Sequence, residues 1–213
     1  VAEELELTID WIPVANFTTM TEDLRTGKYD AICASAFNLP RAGHIEYTLP
    51  YIYVPVKGYA KVEDVAKLPA MDEIDWSRMA IAGLDGESAI AAARKRFPEA
   101  EFFVLSELSS IADSLTAVAT GKADVNFAIP TVFETYNEHS PGVLAPLRGD
   151  QTLHVYPVSF AIKPNEPGFR NMLDMVIQNY MTSGELTALV DRYDPQHHLY
   201  RAQANFTAYN EKL

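Results

Sequence analysis

The residues best suited to binding a small molecule stand at the start of a predicted alanine-rich helix. Gly86, Glu87 and Ser88 open this helix. The free backbone N–H groups and the dipole of a helix N-terminus favour an anion, and the Ser88 hydroxyl adds a donor. Glu87 indicates different chemistry, because a carboxylate there competes with an anionic ligand or prefers a cationic one. The alternative is ordinary helix capping, with Asp85 as the N-cap residue.

Motifs for catalysis or metal binding do not occur in the sequence. It has no Gly-x-Gly-x-x-Gly, Walker A, Gly-x-Ser-x-Gly or His-Glu-x-x-His motif, and nothing indicates a nucleophile with its base. His197 and His198 are adjacent, so on a helix or strand their rings diverge instead of converging on one metal ion. We therefore expect no metal, no cofactor and no enzymatic activity.

Composition limits the class of protein. The 213 residues allow one large domain or two small ones, and the 48% of apolar residues can form a full core. The net charge of −12 and the lack of clustered Lys and Arg argue against nucleic acid as a partner. No apolar run is long enough to span a membrane. Cys33 is the single cysteine and is expected in a buried strand. The sequence begins at Val1, without Met or a signal peptide, as in a processed or trimmed protein.

An internal repeat indicates the architecture. Residues 26–30 read Thr-Gly-Lys-Tyr-Asp and residues 120–124 read Thr-Gly-Lys-Ala-Asp. Each follows a helical pattern and precedes an apolar strand, so Gly27 and Gly121 are predicted to end helices in the left-handed conformation. Two similar α/β lobes with largely parallel sheets follow from this reading. Coincidence is the alternative, since this helix-to-strand turn is common.

Several motifs in order resemble those of the polar amino-acid solute-binding proteins of ABC importers, solute-binding protein family 3. Residues 24–30 read Leu-Arg-Thr-Gly-Lys-Tyr-Asp, residues 38–41 read Asn-Leu-Pro-Arg, and residues 47–51 read Tyr-Thr-Leu-Pro-Tyr. The second Gly-Lys-x-Asp, at 121–124, and the closing helices up to Tyr193 also match. The resemblance covers about residues 15–195.

This resemblance implies the α/β, two-lobed type II periplasmic-binding-protein fold, in which two crossing strands join the lobes around a cleft. Lobe 1 is predicted to comprise residues 1–57 and 157–213, and lobe 2 residues 58–156. The hinge strands are expected near 55–59 and 155–159. One Gly-Lys-x-Asp unit then falls in each lobe.

The resemblance also implies ligand-binding residues. The family's matching arginine forks onto a ligand carboxylate, and the planar guanidinium of Arg41 suits that role. Phe17 matches an aromatic residue that packs on the aliphatic part of the ligand, and Asn38 belongs to the same motif as Arg41. The turn at Gly86, Glu87 and Ser88 matches a Gly-Thr-Thr turn. A surface position for Arg41 and a helix staple at Phe17 are the alternatives.

Two positions depart from the family pattern at the ligand. Ala36 stands where the family often has Ser or Thr. Ile129 stands where it has the aspartate that holds the ligand ammonium, and no acid is adjacent. Because an ammonium group without an anionic partner is poorly tolerated in a closed cleft, a carboxylate without the α-ammonium, or a modified amino acid, fits better.

The N-terminal part departs more strongly. Residues 1–4 look like the end of the family's first helix, so the fold is expected to be N-terminally truncated, without the first strand and most of that helix. The strands predicted at 5–9 and 31–34 would then flank an empty slot. A second copy in a homodimer, or the tail 196–213, is expected to fill it. Direct pairing of the two strands is the rival arrangement.

The function that the resemblance implies is transport. The protein would bind a small, amino-acid-like carboxylate solute outside the cytoplasm, in the periplasm or extracellular space, and present it to an ABC permease. A sensory or degenerate ligand-binding domain that regulates a partner is the alternative. A dehydratase-like lyase on the same scaffold, with Glu87 as general acid, is a further one.

Overall fold

The computed structural model describes residues 1–13, 19–37, 41–106, 108–149 and 151–202. The strands are β1 (Ala31–Ala36), β2 (Glu46–Tyr47), β3 (Ile52–Lys61), β4 (Ala80–Leu84), β5 (Glu101–Leu105), β6 (Val125–Ala128), β7 (Leu144–Pro146), β8 (Thr152–Ile162) and β9 (Tyr200–Arg201). The helices are α1 (Met20–Arg25), α2 (Val62–Val65), α3 (Ser88–Arg96), α4 (Ile111–Ala119), α5 (Pro130–His139), α6 (Pro167–Ser183) and α7 (Glu185–Tyr193). None of the described helices combines the length and the hydropathy needed to cross a bilayer.

Six strands form a continuous sheet in the order β1-β8-β3-β6-β4-β5, while β2 pairs with β8, and β7 and β9 pair with β3. Among the described pairs, β4 is parallel to β5 and β6, and the others are antiparallel. The prediction of largely parallel sheets is therefore wrong. The reason is that β3 leaves one half of the molecule and β8 returns to it, so these two long strands run in opposite directions.

Both long strands change partners along their length. β3 pairs with β8 up to Lys57, and with β6 and β7 from there on. β8 pairs with β3 up to Val158 and with β1 from there on. The segment that they share contains two prolines, Pro55 and Pro157. The exchange divides the structure into a half built on β1, β2 and β9 and a half built on β4, β5, β6 and β7.

Each half has its own apolar core. In the larger core, the rings of Trp76 and Phe97 stack with their centroids 4.0 Å apart, and Phe127 packs against both. In the other half, Leu24 of α1 is fully buried. The hydroxyl of Tyr29 there donates to the Met20 carbonyl oxygen at 2.6 Å. Separate cores allow each half to hold its shape independently of the other.

The repeated helix–glycine–strand units are confirmed. Gly27 ends the first and Gly121 the second, with φ of 81° and 77°. These are left-handed conformations that an L-residue with a side chain adopts only with strain. The second helix, α4, begins with a capping box in which Ser110 and Asp113 exchange hydrogen bonds.

The predicted strand over residues 5–9 does not form. Residues 2–6 make turns, and Leu7 and Ile9 are half exposed. A strand needs a neighbour for its backbone groups, and none of the described strands pairs with this segment, β1 included. The tail does not lie beside β1 in the described residues either, because Tyr200 and Arg201 pair with β3.

Candidate functional site

A cavity of about 180 Å³ lies between the two halves, where β1 ends and α3, α4 and α5 begin. Its wall is mostly apolar, and Arg41 and Glu87 are its charged members among the described residues. The lining residues are Met20, Ala34, Ser35, Ala36, Arg41, Val56, Gly86, Glu87, Ser88, Ala89, Ile111, Ala128, Ile129, Val132 and Tyr156. A small apolar cavity with a few converging polar groups is typical of a ligand site.

Arg41 enters this cavity from the half that contains β1. It begins a short turn in which the N–H groups of His44 and Ile45 donate to the Arg41 carbonyl oxygen, at 2.9 and 3.2 Å. The residue is half-buried. A guanidinium keeps its charge at any physiological pH and offers paired donors to a carboxylate. Phe17 and Asn38, the other candidates from this half, lie outside the described residues.

The other half contributes the turn between β4 and α3, and all three residues predicted there line the cavity. Gly86 has φ of 74°, a left-handed conformation that favours glycine. Glu87, not Asp85, is the N-cap residue of α3. Asp85 instead accepts a hydrogen bond from the N–H of Gly86 at 3.1 Å, so the capping alternative proposed for Asp85 is wrong.

The Glu87 side chain does not cap the helix either. Its Oε2 accepts a hydrogen bond from the N–H of Leu84, at the end of β4, at 3.1 Å. Burial raises the pKa of this carboxyl group above 4.5, and the hydrogen bond from Leu84 opposes that rise. The site therefore holds a carboxylate that has lost part of its hydration.

Tyr156 closes the wall beside Glu87. Its hydroxyl donates to the carbonyl oxygen of Ser88 at 2.7 Å and so ties β8 to the first residue of α3. Burial, and secondarily the charge of Glu87, raise the pKa of Tyr156 to about 12. The phenol therefore stays neutral at physiological pH.

Close packing beneath the turn requires a glycine at position 83. A Cβ atom on Gly83 would lie 2.1 Å from Cγ1 of Ile90 and 3.4 Å from Oε2 of Glu87. A side chain there would push α3 away from β4, and with it the carboxylate of Glu87. The position of Glu87 in the cavity thus depends on the absence of a side chain at Gly83, the next-to-last residue of β4.

Ser35 is a cavity residue that the sequence did not single out. It is 2% exposed, and its hydroxyl has no hydrogen-bond partner among the described residues. Ala36, the position at which the family often has Ser or Thr, lies in the same wall. Next to them, the pairing of β1 with β8 is irregular between Ile32 and Ser35. No sequence signal marks that irregularity.

Ile129, which stands where the family has an aspartate, lines the cavity together with Val132, so this part of the wall is apolar. No group of three or more His, Cys, Asp or Glu within the described ranges is arranged to hold a metal ion. The arrangement can therefore hold a small molecule between an arginine and a hydroxyl on one side and a glutamate and a helix N-terminus on the other.

The family model of the bacterial extracellular solute-binding proteins, family 3, matches residues 1–196. The chain belongs to this family. No curated protein matches it significantly. Proteins of this family are predominantly binding proteins, as are the solved structures that this family member resembles.

Solved structures share the fold at low sequence identity. A protein from Wolinella succinogenes DSM 1740, named as a binding component of an ABC transporter and complexed with lysine, is 22% identical with a TM-score of 0.77, covering 90% of this chain and 80% of that one. An amino-acid ABC transporter substrate-binding protein from Streptococcus pneumoniae, bound to L-arginine, is 17% identical with a TM-score of 0.72, covering 94% and 80%. A histidine kinase sensor domain is 16% identical with a TM-score of 0.75, covering 94% and 83%. The fold is that of a two-lobed type II periplasmic binding protein.

Proposed function

We propose that this family 3 protein binds a small carboxylate-bearing, amino-acid-like solute in the cavity and presents it to the permease of an ABC importer. The observation that carries the proposal is that Arg41 and the start of α3 line one cavity from opposite halves of the molecule. A ligand bridging them stabilises the arrangement in which both halves touch it. The membership of an extracellular solute-binding family supports a periplasmic or extracellular location.

Each polar residue has a proposed role. The guanidinium of Arg41 binds the ligand carboxylate through paired hydrogen bonds. The hydroxyl of Ser35, which has no partner among the described residues, donates to the same group. Ser88 and the N–H groups at the start of α3 contact the ligand from the other half, with Gly86 giving the backbone close access. Phe17 and Asn38 remain proposed contacts on the family resemblance.

Closure requires two lobes that rotate about the shared strands. We place lobe 1 at residues 1–57 and 157–213, lobe 2 at 58–156, and the hinge strands near 55–59 and 155–159. The change of partners on β3 at Lys57 and on β8 at Val158 supports these limits. The ligand shifts the population of the two arrangements by its greater affinity for the closed one.

A ligand screen tests the proposal. Thermal shift with a panel of small carboxylates and amino acids identifies a stabilising compound, which is then titrated by calorimetry against the parent and Arg41→Ala. Losing the charge-assisted contact costs about 2–4 kcal/mol, or roughly 30- to 1000-fold in affinity. Arg25→Ala, on the exposed face of α1, is the matched control and keeps the parent affinity. Equal affinity for the parent and Arg41→Ala would contradict the assignment.

A sensory role is the second candidate, favoured by the likeness to a histidine kinase sensor domain. A degenerate sensor that regulates a partner binds small carboxylates weakly or not at all, so the same screen separates the two. The dehydratase-like alternative needs Glu87 as a general acid. Turnover of a cyclic dienoate, lost in Glu87→Gln, would support it.

A homodimer remains a separate proposal. β1 pairs with β8 on one side, and none of the described strands lies against its other edge. An open strand edge of this kind favours pairing with another chain. Light scattering at micromolar concentration measures the oligomeric state directly, and a monomer at all concentrations would refute the proposal.

A further inference from the structure

We propose that Glu87 determines the charge specificity of this cavity: its carboxylate binds a cationic or N–H donor group of the solute while Arg41 binds the solute's carboxylate. The preferred ligands are then small zwitterions without net charge. This inference rests on the proposed function, because it names the residue that binds the other end of the same ligand. It goes beyond it by giving a role to a residue that stands where the family motif has threonine.

The hydrogen bonding of Glu87 leaves one carboxylate oxygen for a ligand. Oε2 accepts from the N–H of Leu84 at 3.1 Å. The described residues provide no donor to Oε1, and no described Lys, Arg or His lies within ion-pair distance of either oxygen. A carboxylate in the wall of a cavity, with one oxygen unoccupied, is a ready acceptor for an ammonium or N–H group from the ligand.

The cost of burying the Glu87 carboxylate explains why the ligand group that binds it must be cationic. A partly desolvated carboxylate without a basic neighbour is destabilised in its charged form, and the raised pKa of Glu87 reflects this. The dipole at the start of α3 offsets part of the cost. Capping does not require the acid, because the side chain does not cap the helix. A ligand cation would replace the lost hydration.

The position of Glu87 also revises the expectation drawn from Ile129. That expectation considered one acid, at the end of β6, and its absence argued against a ligand ammonium group. Ile129 and Glu87 line the same cavity from two different strand ends. Glu87 therefore provides an acid at the turn after β4, whereas Ile129 provides none after β6, and a cation bound by Glu87 enters the cavity from a different direction.

The rest of the wall selects what lies between the two charges. Met20, Val56, Ile111 and Val132 are apolar, and the cavity measures about 180 Å³. An aliphatic linker fits this surface, whereas a second carboxylate would face Glu87 and be repelled by it. Dicarboxylates and simple monocarboxylates are therefore expected to bind more weakly than zwitterions of the same length.

The experiment compares probes that differ mainly in charge. L-2-aminobutyrate and 4-aminobutyrate are the zwitterions, n-butyrate lacks the cation, and succinate has a second carboxylate. Each is titrated by calorimetry against the parent, Glu87→Gln and Asp85→Asn. The last variant removes an exposed carboxylate from the same turn, outside the cavity lining, and is the matched control. Circular dichroism and melting temperature confirm that each variant is folded.

We expect the parent to bind at least one zwitterion about tenfold or more tightly than n-butyrate and succinate. Glu87→Gln should lose that preference by a similar factor and bind succinate as well as or better than the parent does. Asp85→Asn should behave as the parent. Zwitterion affinity unchanged in Glu87→Gln, or a parent preference for succinate or butyrate, would overturn the role of Glu87 while leaving the proposed function standing. No binding of any probe by any of the three proteins would overturn both.

Discussion

The imidazole of His198 contacts the carboxylate of Glu134 through Nε2 and Oε1. Glu134 lies on α5, in the half built on β4 to β7, where neighbouring Phe133 stacks on Tyr59. His198 follows α7, and its N–H donates to Asp194 at 3.0 Å. The pair therefore joins the segment after α7 to a helix of the other half. The side chains of His198 and Glu134 are 25% and 32% exposed, so the pair is less accessible to solvent than an ordinary surface ion pair.

Replacing His198 tests whether this contact favours the closed arrangement. His198→Ala removes about 1 kcal/mol of attraction between the halves, so ligand affinity should fall by roughly fivefold. Small-angle scattering of the ligand-free protein should show a larger radius of gyration. His197→Ala is the control, since that neighbouring side chain is 65% exposed and faces Asp191 instead. An identical change in both variants would argue against the contact.

Ser35 and Ser159 form a natural matched pair, because they lie opposite each other in the β1–β8 ladder and both hydroxyls are buried without a described partner. Removing either hydroxyl should leave the free energy of unfolding unchanged or slightly higher, since no hydrogen bond is lost. Ser35 lines the cavity, whereas Ser159 does not. Ser35→Ala should therefore weaken ligand binding about 2- to 10-fold and Ser159→Ala should not. Calorimetric titration and urea unfolding of both variants measure this, and equal affinities would remove Ser35 from the site.

Glu87 should make the ligand-free protein less stable as the pH rises. Its pKa is higher in the folded protein than its ordinary value of 4.5, so the folded state holds the proton more tightly than the unfolded state does. Stability contributed by the protonated form is present at acid pH and is lost as the pH rises through the folded pKa. Glu87→Gln should therefore melt at a higher temperature than the parent at pH 7.5, and the gap should close below pH 4.5. A parent that is more stable than Glu87→Gln at pH 7.5 without ligand would contradict this.

Gly83→Ala should destabilise the protein. The added Cβ overlaps Ile90 at 2.1 Å in a strand whose last four residues are buried, and such overpacking costs about 1–3 kcal/mol. For a chain of this size, each kcal/mol lowers the melting temperature by about 2–4 °C. Gly168→Ala is the control, because nothing lies within 4 Å of its added Cβ in α6. A melting temperature for Gly83→Ala equal to that of Gly168→Ala would show that α3 can shift without cost.

The parts of the fold that the sequence predicted correctly depend on local signals. The glycines at 27 and 121 end helices in a left-handed backbone conformation that favours this residue type, so the residue type alone identifies them. Arg41 and the α3 turn came from motif order, and the structure places them in one cavity. Whether they bind a ligand stays a prediction.

The parts that failed depend on distant neighbours. The alternating residues from Leu5 to Ile9 resemble a strand, but alternation cannot supply the strand that must lie beside it. The antiparallel course of β3 and β8 involves pairing across about a hundred residues, which no local pattern encodes. Ser35 was missed because its lack of a partner is a property of the packed wall and not of its own sequence context.

The two prolines in the segment shared by β3 and β8 determine how wide the connection between the halves is. The carbonyl oxygen of Pro157 accepts from the N–H of Phe37, so the polar side of this residue faces away from β3. Pro55 lies two pairs along the same antiparallel ladder, and its polar side therefore faces away from β8. Each proline thus removes a donor from an outer edge of the two strands, where a third strand would have to attach. Pairing with β1 ends at Val158 and pairing with β6 begins at Lys57, on either side of these prolines. Between Tyr53, where pairing with β9 ends, and Lys57, the connection is consequently two strands wide among the described residues. A ribbon of that width resists twisting far less than the broader sheets that it joins.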